Sequence, residues 1–272
     1  MQSPWPPTDP AAAAADPGYG PDPSAGGISV LGAVRAVFAD PEWKHNVLFA
    51  LIFMVIPVVG PIALSGWMCE VMQRKARRQP NAIVYIEFSD FGEYIKRGLS
   101  VFLVQLVVTL PVLFITYGAM AATGFAVFAV MAATEEPAAG IGVGVGVGLT
   151  SLVLLMALGA VVNATQTRAE LTENFSEALR LGEVMGYVKL TFWTVMWKNF
   201  AFMWVALGII LIGIIACYIG LYPAIAVIQL AAMHLRFQVY EAYLARGGPP
   251  IPVKPATLLP SEQRAQQLAY PY

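Results

Sequence analysis

The chain has 272 residues, of which 58% are hydrophobic and only 12% are charged, whereas soluble domains average about 45–50% apolar and about 25% charged residues. So few charged residues leave too little polar surface to cover a globule in water, and the composition therefore excludes an ordinary soluble protein. The formal net charge of −1 gives no reason to expect nucleic acid as a partner.

Four stretches of the sequence contain no Asp, Glu, Lys or Arg. These are residues 46–69, 99–134, 137–167 and 199–235. Each reaches or exceeds the roughly 20 residues that a helix needs to cross about 30 Å of hydrocarbon. The pattern predicts an all-α fold, a polytopic integral membrane helix bundle with amphipathic helices at the membrane interface.

Both ends of the chain differ in composition from the rest. Residues 1–27 are rich in Pro, Ala, Gly and Asp, and residues 247–272 are rich in Pro. Such segments bury too little apolar area to offset the loss of backbone entropy, so they are predicted to be disordered tails. The integral membrane domain is accordingly predicted over residues 28–246.

The first uncharged stretch is interrupted by Pro57, Gly60 and Pro61. Because proline breaks the helical hydrogen-bond ladder, residues 46–72 form either one kinked span or a hairpin of two short arms. A basic cluster follows, made of Arg74, Lys75, Arg77 and Arg78. It marks the cytoplasmic side of the membrane, and an anionic-lipid site is the alternative interpretation.

The second uncharged stretch would be about 50 Å long as one helix, longer than a bilayer is thick. It is therefore predicted to end its crossing near residues 118–124 and to continue along the far surface. In the third stretch, Gly140, Gly144 and Gly148 recur at every fourth residue. This small-xxx-small spacing predicts close helix packing, and a conformational hinge is the alternative.

Residues 164–198 are predicted to form a second cytoplasmic connector. Glu170, Glu173, Glu177 and Arg180 occur there at helical spacing among apolar residues, which indicates an amphipathic helix on the membrane surface. Two final spans are expected after it, joined near residues 218–223.

The basic residues predict the topology. All sixteen Lys and Arg residues lie in residues 1–46, 70–98, 164–198 and 236–264. If residues 46–72 form a hairpin, all sixteen lie on one face of the membrane, which gives six spans with both termini in the cytoplasm. If those residues form one span, the total is five.

A family resemblance rests on longer motifs. The stretches FADPEWKHNVLFALIFMVIPVVGPIALSGWMCEVMQRKARRQP and FSDFGEYIKRGLSVFLVQLV resemble the prokaryotic membrane proteins catalogued as domain of unknown function 4013. SEALRLGEVMGYVK, WKNF and HLRFQVYEAYLARG are similar to that family's second half, so the resemblance covers roughly residues 27–247. It implies a multi-helix integral membrane domain in a bacterial inner membrane, and it implies no activity and no functional residue.

Residues that could carry chemistry are few. The sequence has no G-x-S-x-G or H-E-x-x-H motif and no paired carboxylates at membrane depth, so no catalytic residue, metal site or cofactor is predicted. Polar side chains inside the apolar stretches, Gln105, Asn163 and Gln229, are predicted to form interhelical hydrogen bonds or to line a permeation path. Glu70 and His234, at span ends, are predicted to reach water.

The leading functional hypothesis is a non-catalytic multi-pass membrane protein, a scaffold or partner-binding module of the cell envelope whose cytoplasmic connectors form the docking surface. The alternative is a transporter or channel for a lipid or small apolar solute. Membrane lipid is the expected partner in both cases, together with other membrane proteins or a second copy of the chain.

Overall fold

The structure is a computed structural model that describes residues 27–79, 82–134, 137–215 and 220–269. Within these ranges the fold is all-helical, with no strand, and a 3₁₀ turn at Phe88–Asp90 precedes the fourth helix. The helices of the described residues, numbered in chain order, are α1 (Val30–Ala39), α2 (Trp43–Val55), α3 (Val59–Ala76), α4 (Phe91–Thr134), α5 (Pro137–Thr172), α6 (Phe175–Ala178), α7 (Leu181–Ile215), α8 (Leu221–Ala245) and α9 (Pro260–Ala269).

The proline-containing break separates α2 from α3 and reverses the chain. Val58 adopts a φ of 62°, a left-handed conformation that is uncommon for a β-branched residue. A Cβ atom built at Gly60 would lie 1.6 Å from the Phe53 carbonyl oxygen, so only glycine allows α3 to start against the end of α2. Near the other ends, Asn46 of α2 and Trp67 of α3 both hydrogen-bond to backbone atoms of residues 84–86. Residues 46–72 therefore form a helical hairpin.

The α2–α3 hairpin is shorter than the helices around it. A Cβ atom built at Gly66 would lie 1.8 Å from the Tyr94 carbonyl oxygen, and one built at Gly98 would lie 1.8 Å from the Ile62 carbonyl oxygen. These contacts make α3 and α4 antiparallel and place the hairpin tip level with about residue 102. At 1.5 Å per residue, α4 extends roughly 48 Å beyond that tip.

The prediction that the second apolar stretch turns near residues 118–124 is wrong, because α4 is one helix of 44 residues. Gly118 and Gly124 lower helix propensity, but α4 continues through both of them, as it does through Pro111. The antiparallel helix α5 supports α4 along this part, where Val127 and Met131 contact the glycine face of α5. Tertiary packing therefore outweighs the local preference.

The surface helix predicted for residues 164–198 is also wrong. Helix α5 continues to Thr172, the chain turns at Glu173 with a φ of 48°, and α7 runs unbroken from Leu181. The Asn174 side chain caps the short helix α6 by accepting hydrogen bonds from the backbone of residues 176 and 177. Glu170 is fully buried, because its carboxylate meets Arg236 of α8 and not the membrane surface.

The C-terminal segment differs from the disordered tail predicted from its composition. Residues 247–269 follow a defined path that ends in α9, and they bury Ile251 and Leu259 at 2% and 0% exposure. The Leu259 backbone N–H donates to the Glu262 carboxylate, which begins α9 with a capping interaction. The segment is ordered by contacts with distant helices, which composition does not encode. Residues 1–26 lie outside the described residues.

Three of the described helices are long and apolar enough to cross a membrane: residues 88–134, 138–172 and 181–215. Their apolar side chains are largely exposed, as expected for surfaces that face lipid and not water. Because α4, α5, α7 and α8 are successively antiparallel, their charged ends lie together at one end of the bundle, here called the head. Six spans is not confirmed by this count, and both six and five remain predictions.

Candidate functional site: a charged cluster and an amide cleft

The head contains a largely buried group of charged residues that joins α3, α4, the turn after α5 and the C-terminal segment. We call it the charged cluster; its members are Glu70, Arg74, Arg97, Glu173, Lys254 and Glu262. Arg97 and Glu70 form its centre, since their side chains are only 2% and 3% exposed and contact each other directly. Three cations face three anions within the cluster, and the partly exposed Glu93 also lies 3.4 Å from Arg97.

Each end of the cluster is fixed by a different chain segment. Arg74 contacts Glu70 at 2.5 Å within α3 and Glu262 at 2.7 Å from α9. Glu173 accepts from Lys254 at 2.5 Å and from the Gln73 amide at 2.8 Å. Charges removed from water in this way are stable only when every member keeps its partners. The cluster is therefore a structural lock between segments that are far apart in the sequence.

Two further ion pairs connect α8 to the same end of the molecule. Arg236 binds the carboxylate of Glu170 through two nitrogens, at 2.6 and 3.3 Å. Arg78 binds Glu241 at 2.9 Å. With these pairs, α8 joins α3 and α5 in a head held together by ionic contacts.

The basic residues that were predicted to mark topology or bind anionic lipid have partners within the chain. Arg74 and Arg78 bind the carboxylates already described, Lys75 contacts the His234 ring nitrogen Nδ1 at 2.7 Å, and Arg77 donates to the Lys254 carbonyl oxygen. Burial alone would lower the pKa of Arg74, but Glu70 and Glu262 raise it above its usual value. These side chains stabilise the head in the structure.

Glu70 and His234 do not reach water as predicted, since they are 2% and 4% exposed. The prediction was wrong because it treated their helices as isolated spans, whereas the neighbouring helices supply Arg97 for the carboxylate and Lys75 for the imidazole. Burial also lowers the pKa of Lys75 from 10.5 to about 8.

The lowered pKa of Lys75 predicts a pH dependence of stability. Between pH 8 and 10.5 the unfolded chain binds more protons at this residue than the folded protein, so the free energy of unfolding rises with pH. Over this window, wild type should gain up to about 3.5 kcal/mol relative to Lys75→Met, since one pKa unit corresponds to about 1.4 kcal/mol. Denaturant unfolding of the detergent-solubilised protein at several pH values measures this change in the free energy of unfolding. Lys96→Met, at an exposed site, should keep the wild-type slope; a wild-type slope in Lys75→Met would contradict the prediction.

The three intramembrane polar residues predicted from the sequence lie in different environments. Gln105 and Gln229 are exposed on the outer surface of α4 and α8. Asn163 is 8% exposed, and its Oδ1 atom has no hydrogen-bond partner among the described residues. The structure therefore does not bring the three residues into one path.

Asn163 lines a cleft of about 330 Å³ between α4, α5, α7 and α8, which we call the amide cleft. Its polar lining consists of Asn163, Gln166, Asn199, Thr109 and Arg236. Its apolar walls come from Val112, Leu155, Gly159, Val162, Phe202, Ala232 and Leu235. Within the part of the chain that the structure describes, no group of three or more His, Cys, Asp or Glu side chains could hold a metal ion.

The glycines singled out in α5 lie at different distances from neighbours. A Cβ atom built at Gly140 would meet Met131 at 2.2 Å, one at Gly144 would meet Val127 at 3.0 Å, and one at Gly148 would meet nothing within 4 Å. Only the first two of these three lie against α4. The close approach of Gly66 to Gly98 could not be predicted from spacing, because the two residues lie on different helices.

The charged cluster was not predicted either, although one signal was available. Arg97 lies two residues before an uncharged stretch of 36 residues, in a position where a solvated cation would be expected. Its acidic partners Glu70 and Glu173 are 27 and 76 residues away, so the pairing needs the tertiary fold. Pairing the charged residues at the ends of the apolar helices by opposite sign could have predicted such contacts.

Comparison with known proteins gives one finding. Residues 49–233 match a family described as "Protein of unknown function (DUF4013)", and this match covers more than half of the chain. Neither the curated proteins nor the solved structures contain a match. The matched region includes Glu70, Arg97 and Glu173, whereas Lys254 and Glu262 lie beyond it. The chain belongs to the DUF4013 family, as its sequence motifs indicated.

Proposed function

We propose that the chain is a non-catalytic multi-pass membrane protein that acts as a scaffold of the cell envelope. Its apolar half anchors it in the inner membrane, and its head presents a fixed surface to another membrane protein or to a second copy of the chain. Both termini lie on the cytoplasmic side in this proposal.

The anchoring part is supported by the outer surface of α7. Trp193 and Trp197 are 67% and 61% exposed, and exposed tryptophans are typical of the level where a membrane meets water. From Trp197 to the end of α7 at Ile215 there are 19 residues, or about 28 Å of helix, which fits the thickness of a hydrocarbon core. The charged cluster would then lie just outside the bilayer.

The observation that carries the proposal is the charged cluster itself. A transporter must rearrange its helices, which requires contacts that break and form at small cost. Separating Arg97 from Glu70 would instead take a direct partner from two buried charges, at a cost of several kcal/mol. A head held together by such contacts from four chain segments keeps a fixed shape. This suits a protein that presents one surface to a partner.

Residues 164–198, the second of the two predicted cytoplasmic connectors, offer that surface. Leu181, Phe175 and Met185 lie near the start of α7 and are 77%, 40% and 47% exposed. Met185 and Leu181 lie about 12 and 18 Å along α7 from Trp193, and Phe175 precedes α7, so membrane lipid would not cover them in this arrangement. Exposed apolar side chains at such a position are typical of protein interaction sites.

Affinity purification in mild detergent, followed by identification of partners, tests the scaffold. We expect a reproducible protein partner with the wild type, its loss with Leu181→Asp, and its retention with Leu31→Asp, since Leu31 is 58% exposed on α1, outside the connectors. A chain that purifies repeatedly without a protein partner but with bound lipid would overturn the scaffold and favour the transporter.

Cysteine labelling distinguishes an even from an odd number of spans. Single cysteines at Lys44, Lys96 and Arg180, all exposed, are introduced with Cys69 and Cys217 replaced by alanine, and cells are treated with a maleimide that cannot cross membranes. Because the hairpin returns the chain to the side where it began, all three sites should react only after permeabilisation. Reaction of Lys44→Cys alone in intact cells would indicate five spans and contradict the proposed arrangement.

The transporter alternative has one observation in its favour, the amide cleft between four helices. Transport would require that this cleft open in turn to both sides of the membrane. Restricting the movement of α8 against α5 by a disulfide should abolish transport but leave scaffold binding unchanged.

A further inference from the structure

The amide cleft combines polar and apolar surfaces in a way that suits one class of ligand. Its polar side chains lie where the apolar part of the bundle meets the head, because Asn163 is about two helical turns from the buried, ion-paired Glu170 on α5. Val112, Leu155 and Phe202 provide apolar walls. A ligand in this cleft would be an amphiphile with its polar part towards the head.

The hydrogen-bonding groups of the cleft are not used within the described part of the protein. Asn163 is more than nine-tenths buried and its Oδ1 atom has no partner there. The side chains of Gln166, Asn199 and Thr109 likewise make no hydrogen bond with the described residues. Leaving a buried amide without a partner is energetically costly, so a polar group of a ligand would be stabilised in the cleft.

The charge of the cleft limits the chemistry of that group. Arg236 is the one charged side chain among the described residues of its lining, and Glu170 neutralises it through two contacts. An ionised head group would therefore leave water without gaining a free opposite charge, at a high desolvation cost. Amides and hydroxyls both donate and accept hydrogen bonds, and a ligand with hydroxyl groups satisfies both capacities without adding charge.

We propose that the amide cleft binds the uncharged, hydroxyl-bearing head of a glycerolipid such as a diacylglycerol. Asn163 accepts a hydrogen bond from a ligand hydroxyl, and Asn199 and Gln166 complete its coordination from α7 and α5. One acyl chain lies along the apolar wall towards the lipid phase. This site is independent of the scaffold role, since it concerns a bound lipid and not a protein partner.

Photocrosslinking of the full chain in phosphatidylcholine nanodiscs tests the site. The probe is a photoactivatable diacylglycerol, and a photoactivatable phosphatidic acid with the same chains provides the ionised comparison. We expect saturable labelling by the diacylglycerol on peptides of α5 and α7, with competition by unlabelled dioleoylglycerol. Labelling should fall about five- to tenfold in Asn163→Leu and in Asn199→Leu, as expected for loss of one hydrogen bond of about 1–1.4 kcal/mol.

Gln105→Leu is the matched control, because it removes an exposed amide outside the cleft and should leave labelling unchanged. Asn199→Leu keeps the test valid if Asn163→Leu fails to fold, since Asn199 is only half-buried and its replacement should disturb the fold less. Equal labelling by phosphatidic acid that is lost in the same variants would overturn the uncharged head group. Labelling that is absent, is not saturable, or is unchanged in both asparagine variants would overturn the site.

Discussion

Replacing Arg97 with methionine is expected to lower the free energy of unfolding by about 3–5 kcal/mol, the cost of removing one partner from a buried ion pair. The substitution keeps an unbranched side chain of similar length but leaves Glu70 and Glu173 buried, at 3% and 4% exposure, without their shared cation. It also removes the hydrogen bond to Thr257 that holds the C-terminal segment. Denaturant unfolding of the full chain in detergent micelles measures the change.

Lys96→Met is the matched control, because Lys96 is the preceding residue of α4 but is 79% exposed and lies 3.6 Å from its acidic partner. An exposed pair of this kind contributes at most about 1 kcal/mol. Similar stabilities for the two variants would contradict the role of the charged cluster. Arg97→Lys should be intermediate, since a lysine keeps the charge but loses the planar, forked contacts to several partners.

The apolar half of the protein could be predicted from the sequence to a large extent. A long uncharged stretch predicts both a helix and an apolar outer surface, because a chain segment in hydrocarbon must satisfy its own backbone hydrogen bonds. The apolar parts of α4, α5 and α7 accordingly lie within the stretches that were predicted. The point where the helices end was predicted less well, since α4 continues past Gly118 and Gly124.

The head could not be predicted in the same way, because its order comes from pairs that are distant in the sequence. Lys254 and Glu173 are 81 residues apart, and Arg74 and Glu262 are 188 residues apart. Taken alone, the segment around Lys254 has the composition of a disordered tail. Only the tertiary fold brings it to the Glu173 carboxylate, so one-dimensional patterns assigned it wrongly.

Different interactions hold the two halves of the bundle together. In the head, charges and large aromatic residues such as Trp67 and Tyr94 are buried together, and ionic contacts fix which helices meet. In the apolar half, large side chains such as Phe114 and Phe125 point outward at 76% and 74% exposure, so helix contacts there depend on small residues that allow a close approach. Gly66 and Gly98 lie at the boundary between these two regions, where the backbones of α3 and α4 approach each other closely.

Gly98→Ala is therefore expected to be as damaging as the loss of a charge. An added Cβ atom would lie 1.8 Å from the Ile62 carbonyl oxygen and 2.7 Å from the Gly66 nitrogen. These are backbone atoms that cannot rotate away, so α3 and α4 must separate. We expect a loss of about 3 kcal/mol or more, at the upper end for overpacked sites, and Gly66→Ala should have the same effect from the other side.

The control for Gly98→Ala is available in the same helix. A Cβ atom added at Gly118 would meet no other atom within 4 Å, so Gly118→Ala should raise the free energy of unfolding by up to about 1 kcal/mol through helix propensity alone. The two substitutions make the same chemical change in α4 and should have opposite signs in denaturant unfolding. Their difference measures the packing of α3 against α4, because propensity contributes equally to both. A Gly98→Ala variant that is as stable as Gly118→Ala would mean that α3 and α4 do not meet at these glycines, and the charged cluster above them would lose its geometric basis.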